Sequence, residues 1–328
     1  MLTTGGTIAS MPGGSGLNIS GAMSGESLLE RVALPEPDLL DVEVRSILQK
    51  PSNAISLVDL VEMSRHCERL AKDPDINGIV VTHGTDTLEE TAHFLDVTLA
   101  LSHCALVVTG SQRAPHDEGT DAFRNLANAI TVAADSRLAG LGATVVFNEC
   151  IYAARQVRKL NSYQVNGFGA PGGGQLGYVD GPRVHLAQLP LRMPLLPLGE
   201  SLPRVDILPA YLDASPELVE ASVASGARGL VIDGLGRGHV PPGWLASIEN
   251  AIKAGITVLV VSSCQEGPVN FSYEFPGSLA SLVSLGALVV PDQSARKARL
   301  NLAVMLSTPF QDGKEGMARW FQHALSRP

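Results

Sequence analysis

Residues 76–88 read Ile76-Asn77-Gly78-Ile79-Val80-Val81-Thr82-His83-Gly84-Thr85-Asp86-Thr87-Leu88. The run from Ile76 to Val81 ends in unbroken aliphatics, which reads as a strand buried on both faces. A polar turn follows at once. Leu88 to Leu101 then reads as a helix, with Glu89 and Glu90 in the first turn, where carboxylates complement the helix dipole. Strand, polar turn and helix in direct succession form the repeating unit of a parallel sheet wrapped by helices. The same order recurs downstream. Ala105 to Thr109 is a strand that opens into Gly110-Ser111-Gln112-Arg113-Ala114-Pro115-His116, Asp121 to Ala134 is a helix, and Ala143 to Phe147 is a strand. Ligands of such sheets sit at the carboxyl ends of the strands, so these polar turns are expected to converge on one place.

Working back toward the N-terminus, Ser56 to Leu70 has helical spacing, with Leu57, Leu60 and Val61 on one face. Val42 to Leu48 reads as a short strand stopped by the polar turn Lys50-Pro51-Ser52-Asn53. Ser24 is placed to cap a helix. Ser10 to Ile19 is rich in glycine and without period, the composition of a mobile loop and a candidate lid. Before it stands Thr3-Thr4-Gly5-Gly6-Thr7, preceded only by Met1 and Leu2. That is the stub of a strand, weak as an edge, running into a glycine turn. Adjacent glycines allow positive φ or a close approach of backbone.

Toward the C-terminus, residues 167–177 are dense in glycine. Leu189 to Leu202 alternates leucine and proline with neither helical nor strand period, as an extended linker does. Beyond it, Val205–Leu208, Gly229–Ile232 and Thr257–Val261 read as strands. Pro216–Ala224, Pro242–Ala254 and Ala295–Leu306 read as helices. The expected fold is α/β, a parallel-sheet layered N-terminal domain (1–187), a linker (188–204) and a smaller α/β C-terminal domain (205–328).

The chain has 328 residues and a formal net charge of −9, which argues against nucleic acid or an anionic membrane as partner, since both demand a basic face. Its four cysteines, Cys67, Cys104, Cys150 and Cys264, include no C-x-x-C pair. That argues against zinc and dithiol sites and suits core or near-core thiols in a reducing compartment. No secretory signal precedes the glycine turn and no apolar run reaches membrane-spanning length, so a cytoplasmic location is expected.

Four residues could carry chemistry. Thr7 presents a hydroxyl on the first turn. Thr85 and Asp86 offer a hydroxyl and a carboxylate at a helix N-terminus, where either serves equally well as a helix cap. Lys159, in Arg155-Gln156-Val157-Arg158-Lys159, reads as a solvated surface lysine if exposed. If buried beside a carboxylate it could move protons for a hydroxyl, and a threonine hydroxyl needs such help to act as a nucleophile.

Thr4-Gly5-Gly6-Thr7-Ile8-Ala9 with His83-Gly84-Thr85-Asp86-Thr87-Leu88-Glu89-Glu90-Thr91-Ala92 closely resembles the bacterial-type L-asparaginases, amidohydrolases that include glutaminase-asparaginases. Gly110-Ser111-Gln112-Arg113, the helix from Asp121, the Lys159 segment, Leu176-Gly177-Tyr178, Gly234-Leu235-Gly236-Arg237-Gly238 and Ala295-Arg296-Lys297-Ala298-Arg299 extend the resemblance over essentially the whole chain.

The resemblance implies hydrolysis of the side-chain amide of L-asparagine, with L-glutamine a second candidate substrate, no cofactor and no metal. Thr7 matches the nucleophile, and Thr85 the second threonine. Asp86 matches the group that binds the substrate α-amino group, and Lys159 completes a Thr-Lys-Asp relay. Ser52 and Asn53 fall at the α-carboxylate site, and Ser111 where a backbone group meets the side-chain amide. Either Thr7 attacks the amide carbon or Thr85 activates water directly. The family also implies a homotetramer or homodimer, with Arg237 or His239 on a loop that reaches a neighbouring subunit's site. A binding relative that keeps the pocket without turnover is the alternative. Two positions depart from the family pattern. Leu17-Asn18-Ile19 stands where a lid tyrosine is usual, the nearest tyrosine in sequence being Tyr152. Leu279 stands where the partner subunit's glutamate is usual, with Glu274 five residues away as a candidate substitute.

Overall fold

The strand containing Ile79 to Val81 runs through an eight-stranded sheet. The computed structural model describes residues 1–34 and 37–323, and the chain divides into two compact units, Met1–Arg192 and Met193–Pro328. The first unit runs β1 (Leu2–Gly5), β2 (Met11–Pro12), β3 (Asn18–Ile19), α1 (Gly25–Glu30), β4 (Arg45–Lys50), α2 (Leu57–Ala71), β5 (Gly78–Thr82) and α3 (Leu88–Thr98). It continues with β6 (Ala105–Thr109), α4 (Ala122–Ala134), β7 (Ala143–Phe147), β8 (Cys150–Ala153), β9 (Arg158–Lys159), β10 (Phe168–Gly169), β11 (Gly177–Asp180) and β12 (Arg183–Leu186).

The main sheet has the order β12-β11-β8-β7-β6-β5-β1-β4. From β4 through β7 neighbours are parallel. Beyond β7 they are antiparallel. The antiparallel extension was not foreseen. It begins at Asn148 and Glu149, which carry φ of 49° and 66°, the positive pair that a tight hairpin turn requires. The core beneath the sheet is aliphatic. Leu126, Ala129, Ile130 and Ala133 of α4 are buried with Val80 of β5 and Val107 of β6. The valine, leucine and isoleucine side chains contribute about 1.5–3 kcal/mol each when fully buried, and the alanines less.

Several local expectations change. β1 is no frayed edge. All four of its residues are buried, and it lies between β5 and β4. It also moves the neighbouring strand. Leu2 pairs with Arg45 and Thr3 with Ser46, so that strand is Arg45–Lys50 rather than Val42–Leu48. The loop over residues 10–19 contains a short antiparallel hairpin, with Met11 opposite Ile19 and Pro12 opposite Asn18. Cys264 is exposed because it follows the strand Thr257–Ser262 at its carboxyl end, where the chain leaves the core.

The second unit is β13 (Val205–Pro209), α5 (Glu217–Ala224), β14 (Gly229–Gly234), α6 (Leu245–Lys253), β15 (Thr257–Ser262), α7 (Leu279–Ser284), β16 (Leu288–Val289), α8 (Ala295–Met305) and α9 (Gly313–Gln322). Its four strands are parallel in the order β13-β14-β15-β16. Residues 187–204 carry no helix or strand. No described helix is long and apolar enough to cross a membrane.

Candidate active site

At the carboxyl end of the first sheet, four strands release their turns side by side. β1 leads to Gly6 and Thr7, β4 to Pro51, Ser52 and Asn53, β5 to Gly84, Thr85 and Asp86, and β6 to Gln112. These residues, with Lys159, Asn18 and Ser20, line one cavity of about 300 Å3. Of the seven predicted site residues, six lie in its wall.

Lys159 organises the site. It sits in the two-residue strand β9, and its side chain is only 16% exposed, which rules out a solvated surface lysine. Its Nζ donates to Thr85 Oγ1 at 2.7 Å and to Asp86 Oδ1 at 2.7 Å. Thr85 is buried, while the Asp86 side chain is 67% exposed. An ion pair so open to water contributes at most about 1 kcal/mol to stability, so its effect is chiefly to orient the amine. Neither Thr85 nor Asp86 caps the helix. The N-cap of α3 is Thr87, and its hydroxyl donates to the Ser52 carbonyl at 2.9 Å, tying the β4 turn to the β5 turn.

The two threonine turns are locked backbone to backbone. Gly5 and Gly6 have φ of 104° and 83°. A Cβ on Gly5 would lie 2.5 Å from the Lys50 carbonyl oxygen, and one on Gly6 would lie 2.4 Å from the Gly84 backbone. Only glycine permits both the conformation and the approach. Thr7, half-buried, opens the 3-10 turn Thr7–Ala9, which the Ser10 hydroxyl braces by donating to the Gly6 carbonyl at 3.0 Å.

Under the Thr85 turn lies His83, completely buried. Desolvation pushes its imidazole down to about 4, against a smaller opposing effect from the Gly84 carbonyl, so it is neutral. Its Nδ1 is 2.7 Å from that carbonyl and its Nε2 2.9 Å from Thr91 Oγ1. A carbonyl can only accept, so Nδ1 carries the proton, and Nε2 accepts from the Thr91 hydroxyl. Both ring nitrogens are therefore committed to holding the turn.

Ser52 is buried and Asn53 exposed, both on the cavity wall. Ser111 differs. It is fully buried, its hydroxyl donates to the Arg113 carbonyl at 2.7 Å, and the β6 turn reaches the cavity through Gln112. Gln112 Nε2 donates to the carbonyls of Asn161 (2.9 Å) and Gln164 (3.1 Å), latching the β6 turn to the segment after Lys159. Asp121 fixes that turn from below by accepting the backbone N–H of Gln112 and of Arg113, each at 3.0 Å. Gln112 was not among the expected site residues, although Asp121 at the start of a helix is a visible acceptor for the loop before it. Asn18 and Ser20 were also missed. They alternate across Ile19 on the hairpin's exit, and so share one face.

Among the described residues no tyrosine lines the cavity. The Tyr152 hydroxyl donates to the Phe168 carbonyl at 3.2 Å within the fold. Among the described residues no group of three or more His, Cys, Asp or Glu side chains gathers as a metal site. In the second unit, Leu279 is buried and Glu274 exposed. The Leu279 N–H donates to His239 Nδ1 at 3.3 Å, Arg237 donates to the Ser272 hydroxyl at 2.9 Å, and burial with the nearby Arg237 charge lowers the His239 pKa.

The carboxyl ends of parallel strands in an α/β sheet thus gather two threonines, a carboxylate and a lysine around one cavity, the layout of an α/β enzyme site. The chain belongs to the asparaginase family: residues 1–192 match the family described as "Asparaginase, N-terminal" and residues 204–321 the "Glutaminase/Asparaginase C-terminal domain". By that kinship it is an enzyme, an amidohydrolase of the L-asparaginase type. An L-asparaginase of Bacillus licheniformis is 42% identical over 308 residues, covering 94% of this chain and 95% of that protein. A glutaminase-asparaginase of Pseudomonas fluorescens biotype A is 31% identical over 325 residues, covering 96% and 87%. The solved structure of a probable cytoplasmic L-asparaginase from Campylobacter jejuni matches with a TM-score of 0.87 at 28% identity, over 98% of this chain and 97% of that one.

Proposed function

We propose that the enzyme hydrolyses the side-chain amide of L-asparagine to L-aspartate and ammonia, with L-glutamine as a second substrate. The observation that carries this reading is the Lys159 amine, 2.7 Å from Thr85 Oγ1 and from Asp86 Oδ1, on a cavity wall shared with Thr7. Asp86 receives the substrate α-amino group, and Ser52 and Asn53 the α-carboxylate. Thr7 Oγ1 bonds to the amide carbon, its proton passes to the amide nitrogen, the C–N bond breaks and ammonia leaves. Water then adds to the acyl-threonine, returns a proton to Oγ1 and releases L-aspartate. Backbone N–H groups of the glycine turns hold the developing oxyanion, and each such donor contributes about 3–4 kcal/mol in comparable sites. The bond from Lys159 to Thr85 favours a second course, in which Thr85 activates water without an acyl intermediate. Acid quenching and mass spectrometry of the intact chain distinguish the two, since only the first adds an acyl mass at Thr7.

Residues 1–187 are the catalytic part in this reading, 188–204 the linker and 205–328 the smaller domain. The enzyme works in the cytoplasm as a homotetramer or homodimer, with the loop bearing Arg237 and His239 completing a neighbour's site. The likeness to a protein described as cytoplasmic supports the location. Ammonia release from L-asparagine and from L-glutamine, measured side by side, tests the activity. Binding of L-aspartate with no ammonia released from either amide would overturn it.

A further inference from the structure

Glu89 looks, from its place in the first turn of α3, like an ordinary partner of the helix dipole. Its contacts are not ordinary. It is 96% buried, with only 4% of its surface exposed, and its Oε2 accepts the backbone N–H of Lys159 at 2.6 Å. The lysine is therefore held at both ends by one short segment. Thr85 and Asp86 hold its amine, and Glu89, in the helical turn that follows them, holds its backbone. The need for such a tie is physical. β9 is two residues long and, among the described residues, pairs with the equally short β10 alone, and a ribbon of that size is not stable by itself. A lysine side chain also has many rotamers to choose from, so a drifting backbone origin would let the amine leave the threonine.

We propose that Glu89 is a positioning residue, whose carboxylate anchors the Lys159 backbone so that the amine reaches Thr85. This rests on the proposed role of Lys159, and the experiment separates the two. Steady-state ammonia release from L-asparagine is measured for the full-length enzyme and for Glu89→Ala, Glu89→Gln, Lys159→Met and the double variant Glu89→Ala/Lys159→Met, with L-aspartate affinity measured on each. Glu89→Ala lowers kcat by about tenfold or more while L-aspartate affinity stays within about threefold. Glu89→Gln keeps an oxygen acceptor and recovers most of the rate. In the Lys159→Met background, removing Glu89 costs nothing further, because residues acting through one another are not additive. A Glu89→Ala rate within about twofold of the parent, a further loss in the Lys159→Met background, or failure of Glu89→Gln to recover the rate overturns the inference. A normal rate for Lys159→Met overturns the lysine's role and the inference with it.

Discussion

Lys159 Nζ and Thr85 Oγ1 stand 2.7 Å apart, at the meeting of a two-residue ribbon and the carboxyl end of an interior strand. Removing either partner should leave the fold largely intact, since the amine's other bond goes to a largely exposed carboxylate. Lys159→Met and Thr85→Val are each expected to lower kcat by about 10²–10⁴, the range for loss of a positioned proton-transfer group. Steady-state ammonia release checks this, and near-normal rates in both variants would contradict the relay.

Gly6 couples the two threonine turns through its contact with Gly84. Gly6→Ala meets both a positive φ and a backbone clash. Strain of the first kind alone costs about 1–3 kcal/mol, and displacing the turn should remove turnover. Gly14→Ala is the control. It has open space and no positive φ, so its stability should stay within about 0.5 kcal/mol of the parent. Urea midpoints measure both; an equal effect at the two positions would refute the coupling.

His83 makes stability depend on pH. Its folded-state value is near 4, whereas an unfolded histidine titrates near 6.5 (about its ordinary value). Between those values the unfolded chain binds a proton that the folded chain refuses. Stability therefore falls as pH drops through this window, by up to about 3 kcal/mol from this group. His83→Asn can still donate to the Gly84 carbonyl. It should be less stable at pH 7 but lose less between pH 6.5 and pH 4. Parallel losses in parent and variant would remove His83 as the cause.

The layered part of this fold was legible because β5, β6 and β7 are short, almost wholly apolar runs, interrupted within only by Thr144, and each is delivered into polar residues. β8 and β11 were not. The hairpin between β7 and β8 turns on Asn148 and Glu149 without a glycine to mark it. β1 was underrated because two of its four residues are threonines, which look polar in sequence. Here the Thr4 hydroxyl donates to the Thr82 carbonyl at 2.9 Å, so it is satisfied within the sheet. In the site, residues with an obvious chemical reason to be present were found. Gln112 and Glu89 were not, because their partners are backbone atoms distant in sequence, and a backbone partner leaves no mark in residue identity. Glu89 was further hidden by the dipole, which already accounts for a glutamate at that position.

The most direct test of the proposed chemistry is ammonia release from L-asparagine by Thr7→Ala beside the parent enzyme, with L-aspartate binding measured on both. A fall of at least about 10³, roughly 4 kcal/mol of barrier, with binding retained is the predicted result. Activity within about tenfold of the parent, about 1.4 kcal/mol, would contradict Thr7 as the nucleophile.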